Sequence, residues 1–257
     1  MTRLLTVAAA AALTVGPALA QHDPARLGPE PEGAGADRAS AETGFWVRTA
    51  GTQMRVMRDG DLSARAALDS LAHVPGLYAI GPVEGLRGEV TVYDGVPSIS
   101  TVADGRVAVD ESFGHRAAFL VYASATDWRP VPVTRDLDGL ADVEAFVEDA
   151  ATRAGLDLDG AFPFRIEGHA DTLVYHVLNK TDDAPHSHAA HDRVKAMFSA
   201  ADVGVDVVGF WGGTAGQGVF THRGERTHLH ARLSDRSASG HVDGIRVAAG
   251  ATLHLPR

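Results

Sequence analysis

From residue 77 onward, the apolar residues of this chain come in runs too short for most helices, and glycine or aspartate closes most of them. Leu77-Tyr78-Ala79-Ile80 stops at Gly81-Pro82, and Gly88-Glu89-Val90-Thr91-Val92-Tyr93 stops at Asp94-Gly95. An Asp-Gly pair suits the positive backbone angles of a tight hairpin turn, so these two signals together predict strands joined by hairpins. Residues 96–102, 106–109 and 117–123 continue the series, and 162–166, 172–178, 203–210 and 219–222 resume it. Residues 139–154 break the pattern. There Leu140, Val143, Val147 and Ala150-Ala151 recur at helical spacing, Asp138 or Gly139 can cap the start, and Gly155 can end the helix. The expected fold is α+β, dominated by antiparallel or mixed sheet with a few helices.

The earlier part of the chain is less regular. Residues 1–20 read as a signal peptide: Arg3 supplies the positive start, Leu4 to Val15 a short apolar core, and Ala18-Leu19-Ala20 a cleavage site. The mature protein is therefore expected to be exported, to the periplasm or beyond the cell. Residues 21–43 are rich in Pro, Gly, Ala and charge without apolar period, and read as a disordered lead-in. Order is expected from Phe45-Trp46-Val47. Met54 to Met57 alternates like a strand before the turn at Asp59-Gly60-Asp61, and residues 62–71 fit a short helix capped by Asp61 or Ser63. Residues 44–257 are read as one domain with two packed β subregions, roughly 44–160 and 161–257.

The formal charge of −10 and pI near 5.6 disfavour nucleic acid or an anionic membrane surface as partner. The chain has no cysteine, which excludes disulfides, thiolate metal sites and a thiol nucleophile. A metal would have to be held by histidine nitrogen and carboxylate oxygen.

Histidines are arranged in a way that bears on this. His228 and His230 flank Leu229, and in a strand they share one face at roughly 6.5 Å separation. Ser234-Asp235-Arg236-Ser237 reads as a turn, and a hairpin folded there would return His241 opposite the first pair. Three imidazoles on one face match a metal site that keeps one position open, although exposed strand histidines would give the same spacing in a chain with 13 of them. His186, His188 and His191 also have ligand-like spacing but sit among Asp182, Asp183 and Asp192. That stretch reads as an exposed loop, with a lid over the site or a weak second metal site as alternatives. No P-loop, dinucleotide fingerprint or G-x-S-x-G is present.

Several of these landmarks resemble one family. Leu86 to Gly95, Phe164-Arg165-Ile166-Glu167-Gly168, Val207-Val208-Gly209-Phe210-Trp211, His228-Leu229-His230 and Gly240-His241-Val242 are similar, in order and spacing, to the blocks of α-acetolactate decarboxylases. The resemblance covers about residues 45–247 and is strongest over 203–245. It implies that His228, His230 and His241 hold a divalent metal, usually Zn2+, and that Glu89 is the active-site glutamate. It implies an arginine eight residues after Gly168, where this chain has His176, so His176 is expected to take the substrate-facing position. The family's longer C-terminal tail brings another glutamate, whereas this sequence reaches Arg257 sixteen residues after His241.

The implied reaction is metal-dependent decarboxylation of 2-acetolactate, or a similar 2-hydroxy-3-keto acid, to acetoin and CO2. The expected partner is thus a small molecule, without nucleic acid or membrane, and a homodimer is compatible with this reading. Two alternatives stand beside it: a relative that binds metal or a small ligand without this chemistry, and a metal-dependent hydrolase.

Overall fold

The computed structural model describes residues 44–222 and 224–257; the expected signal peptide and lead-in lie outside the described residues. The short runs form strands β1 (Phe45–Ala50), β2 (Ala66–Ala67), β3 (Leu77–Pro82), β4 (Glu89–Tyr93), β5 (Val96–Ala103), β6 (Arg106–Asp110), β7 (Arg116–Ala117) and β8 (Leu120–Ala125). Then come β9 (Trp128–Pro132), β10 (Leu137–Asp138), β11 (Phe162–Leu178), β12 (Lys195–Trp211), β13 (Thr227–Leu233), β14 (Ser239–Val247) and β15 (Thr252–Pro256). Three helices join them: α1 (Gln53–Asp59), α2 (Leu140–Ala154) and α3 (His188–His191).

A six-stranded sheet has the order β1-β8-β3-β4-β5-β6, with β2 and β7 as a separate pair. A seven-stranded sheet has the order β10-β14-β13-β12-β11-β15-β9, and β14 also pairs with β11, so this sheet curls back on itself. The change of sheet falls between Ala125 and Trp128, not near residue 160. The reason is that β9 and β10 join the second sheet, β9 on β15 and β10 on β14. As an edge strand β9 accommodates Pro130 and Pro132.

Local expectations fared unevenly. Helix α2 ends at Gly155, which adopts φ 77° as its left-handed cap. Residues 54–57, expected as strand, lie instead in α1, because Thr52 accepts a hydrogen bond from Arg55 N at 3.2 Å and Gly60 closes the other end at φ 63°. The helix expected at 62–71 is absent. Asp61 commits its carboxylate to a local turn with Ser63, Ala66–Ala67 pair with β7, and only a 3-10 turn at Leu68–Leu71 remains. The strands expected at 162–166 and 172–178 are one 17-residue strand, β11. Residues 219–222 form no strand, only an isolated bridge between Gln217 and Thr221.

The alternation of β4 positions the site. Val90 and Val92 enter a small core with Leu68, Leu77, Ile99 and Leu120. Their neighbours Glu89, Thr91 and Tyr93 point the other way, where each meets a residue of the second sheet. Tyr93 donates to Glu167, which also receives Arg165 at 3.0 Å. One short strand thus carries core on one face and polar contacts on the other.

Candidate metal centre

The hairpin that joins β13 to β14 turns at Arg236, which takes φ 63°, while Asp235 accepts from Ser237 N at 2.9 Å. Its register puts His230 directly opposite His241. His228 lies on the same face, and the three ring centroids are 5.0–5.5 Å apart. His228 and His230 are buried, and burial pushes the His228 imidazole down to about 3. Burial, reinforced by the neighbouring imidazoles, holds His230 and His241 well below the ordinary histidine range. All three are neutral at pH 7 and present lone pairs.

The second row of the site comes from β11 and β4. Across the β11–β14 pairing His176 lies opposite His241, with ring centroids 4.6 Å apart. His176 Nδ1 is 2.7 Å from Asp243 Oδ2, and its Nε2 is 3.9 Å from Glu89 Oε1. The other Glu89 oxygen is 3.8 Å from His230 Nε2. Glu89 is 2% exposed. Burial raises its carboxyl well above the ordinary range and the Asp243 charge adds to this; the Leu178 backbone N–H and Lys195 oppose it. Glu89 therefore holds its proton to higher pH than an exposed glutamate.

Within this trio, one buried nitrogen of each imidazole lacks a hydrogen-bond partner: His228 Nδ1, His230 Nε2 and His241 Nδ1. Buried polar atoms rarely go unpaired. The opposite edges of two of the rings are engaged, His230 Nδ1 with Thr91 Oγ1 at 3.1 Å and His228 with the Phe220 backbone. Such second contacts fix the tautomer and orientation of metal-binding histidines. Three neutral imidazoles with free lone pairs fit a divalent ion of intermediate softness. His176, His241 and Asp243 also bring one atom each within 4.8 Å of one another. The contact between His176 Nδ1 and Asp243, however, makes Asp243 the group that orients His176 rather than a free ligand.

All five residues expected from the sequence are thus gathered in one place. The structure adds others. Asp243 follows His241 at strand spacing, and that H-x-D step was the one signal that could have revealed it. His222 packs its ring 6.4 Å from that of His241 and receives Gln53 Nε2 at 3.0 Å from α1. Nothing in the spacing marks His222, since it lies in a turn. The histidines at 186–191 are only partly in the exposed setting expected of them. His186 is buried, its Nε2 is 3.3 Å from His191 Nδ1, and His191 lines the cavity beside Glu89. A space of about 40 Å³ borders Glu89, His176, Phe119 and His191, and a roomier cleft of about 430 Å³ borders Asp243, Phe220 and Glu225. Lys195, His222, His228 and His241 line both.

The sequence profile described as alpha-acetolactate decarboxylase matches residues 53–255. No curated protein sequence matches the chain. Among solved structures, alpha-acetolactate decarboxylase from Bacillus subtilis strain 168 superposes with a TM-score of 0.69 at 16% identity, covering 82% of this chain and 85% of that one. A protein of unknown function from Staphylococcus aureus, similar to alpha-acetolactate decarboxylase, gives 0.65 at 16% identity over 82% and 84%. At such identity the structures speak for the fold, which is the mostly antiparallel one described above. The profile match runs from the first residue of α1 into β15 and so includes every strand that carries the site. On that ground the chain belongs to the alpha-acetolactate decarboxylase family.

Proposed function

We propose that the protein decarboxylates 2-acetolactate, or a close 2-hydroxy-3-keto acid, to acetoin and CO2 with one divalent ion. The observation that carries this reading is the set of three buried, partnerless imidazole nitrogens, with the buried Glu89 carboxyl beside His230. His228, His230 and His241 would hold the ion. When bound, an ion such as zinc supplies Lewis-acid polarisation of the substrate's ketone and hydroxyl oxygens.

During the reaction the bond from carbon to the carboxylate breaks, CO2 leaves, and the electron pair passes into the adjacent ketone. A proton must then be returned to carbon. Glu89 is placed to supply one, because burial raises its carboxyl well above the ordinary range and it lies against both His230 and His176. Asp243 fixes the His176 ring through Nδ1, so Nε2 faces Glu89 and the site. Phe119, Leu86 and Leu178 supply apolar walls that limit water near that proton. A second reading draws on His176 itself, which stands where the family resemblance implies an arginine: the site then binds metal and a small ligand without decarboxylation.

Zinc-loaded protein incubated with racemic acetolactate should release acetoin. Full zinc occupancy without acetoin would favour the second reading. His228→Ala should lose stoichiometric zinc after desalting; unchanged affinity would mean that the ligands are wrongly chosen. We also propose that residues 1–20 direct export. Protein recovered outside the cytoplasm should then begin at Gln21, and a retained Met1 there would refute the signal-peptide assignment.

A further inference from the structure

Both cavities at the site are walled mostly by imidazoles, apolar side chains and acids. Among the described residues that line them, one Lys or Arg occurs, and it is Lys195, the first residue of β12, which borders both spaces. Its side chain is 22% exposed. Its positive charge is felt at Glu89, His191 and His222, which surround the cavities. Among the described residues the ammonium has one ion-pair partner, Asp192 at 3.1 Å, whose own side chain is 89% exposed. A pair with so solvated a partner is weak and exchangeable. An ammonium has three N–H donors, so Asp192 does not exhaust it.

The His176 ring is oriented by the contact of its Nδ1 with Asp243. A point charge on a flexible four-carbon stem tolerates small differences in carboxylate position, unlike a planar guanidinium fork. We propose that Lys195 is the specificity-determining residue that anchors the substrate's carboxylate, with Asp192 holding the ammonium when the site is empty. The inference rests on the reading of the site as one for a small 2-hydroxy acid. Decarboxylation itself is not needed for it to hold.

Calorimetric titration of zinc-loaded protein tests this with two non-reacting probes. One is 2,3-dihydroxy-2-methylbutanoate, which keeps the carboxylate and both oxygens; the other is butane-2,3-diol, which lacks the carboxylate. Lys195→Gln should weaken binding of the acid about 10- to 100-fold and leave the diol unchanged. Lys195→Arg should retain most of the preference for the acid. Zinc content and melting temperature show whether each variant is folded, and if Lys195→Gln is not, Lys195→Arg and Lys195→Met are compared instead. Equal acid binding in wild type and the folded neutral variant would overturn the proposal. If acetoin forms at unchanged KM in Lys195→Gln, the decarboxylase reading stands and this inference fails. If acid binding depends on Lys195 but no acetoin forms, the inference stands and the decarboxylase reading fails.

Discussion

Among single residues, Glu89 departs furthest from what its strand would suggest. A glutamate in alternating β sequence is ordinarily a solvated group, yet here it is 2% exposed and burial raises its carboxyl well above the ordinary range. Its carboxyl keeps its proton to higher pH in the fold than in the unfolded chain, which ionises above a pH of about 4.3. Over that window unfolding releases a proton, so rising pH weakens folding until the raised folded value is passed. Glu89→Gln removes that penalty as well as the proton. The variant should lose about 10²–10⁴-fold in acetoin formation, while its melting temperature at pH 7.5 equals or exceeds that of the wild type. Retained turnover would remove Glu89 from the proton path. The residue was legible in the sequence through its family setting; its protonation was not, because burial depends on the second sheet covering β4.

On the level of elements, the site depends on β14 running close to both β13 and β11. Gly240 makes this approach possible: a Cβ there would meet His176 O at 2.5 Å and Tyr175 Cδ2 at 2.8 Å. Gly240→Ala should therefore cost about 1–3 kcal/mol through forced displacement, and should lower zinc occupancy because His241 is the next residue. Gly244 on the same strand is the control. Its added Cβ would meet Val174 at 3.8 Å, an ordinary contact, so Gly244→Ala should leave occupancy intact. Urea midpoints and zinc stoichiometry measure both; equal behaviour of the two variants would count against the close approach as the cause. The β13–β14 hairpin could be foreseen, since period and turn chemistry are local. Helix α1 could not, because Met54 and Val56 alternate as in a strand while the Thr52 and Gly60 caps decide for helix.

For the whole molecule, the buried histidines set the response to acid. His228 and His191 are each pushed down to about 3 by burial, and His230 and His241 also lie well below the ordinary value. Unfolded, they take up protons below about pH 6.5. The unfolded chain thus binds more protons than the native one between about pH 3 and 6.5, and stability rises with pH across that window. Glu89 works in the opposite sense there, but one acid stands against four imidazoles, so the histidines prevail. Metal-free protein should show a melting temperature that climbs from pH 4 to 6.5, and zinc-loaded protein a steeper climb, because protons compete with the ion for the same nitrogens. A flat calorimetric profile in metal-free protein would mean that these rings are hydrated in solution.

What the sequence determined by itself was whatever depends on near neighbours along the chain. Strand type follows from alternation, the hairpin from its turn residues, helix α2 from its apolar period, and the convergence of His228, His230 and His241 from two strands joined by one short turn. What only the tertiary structure decided involves groups distant in sequence. Glu89 reaches His176 and His230 because two separate sheets pack face to face. Residues 128–138 join the second sheet because its edges at β15 and β14 were open to them. Lys195 and His222 line the cavities though neither belongs to a periodic pattern. A local pattern records which face a side chain takes, but burial, and with it protonation and pairing, is set by whatever element comes to cover that face.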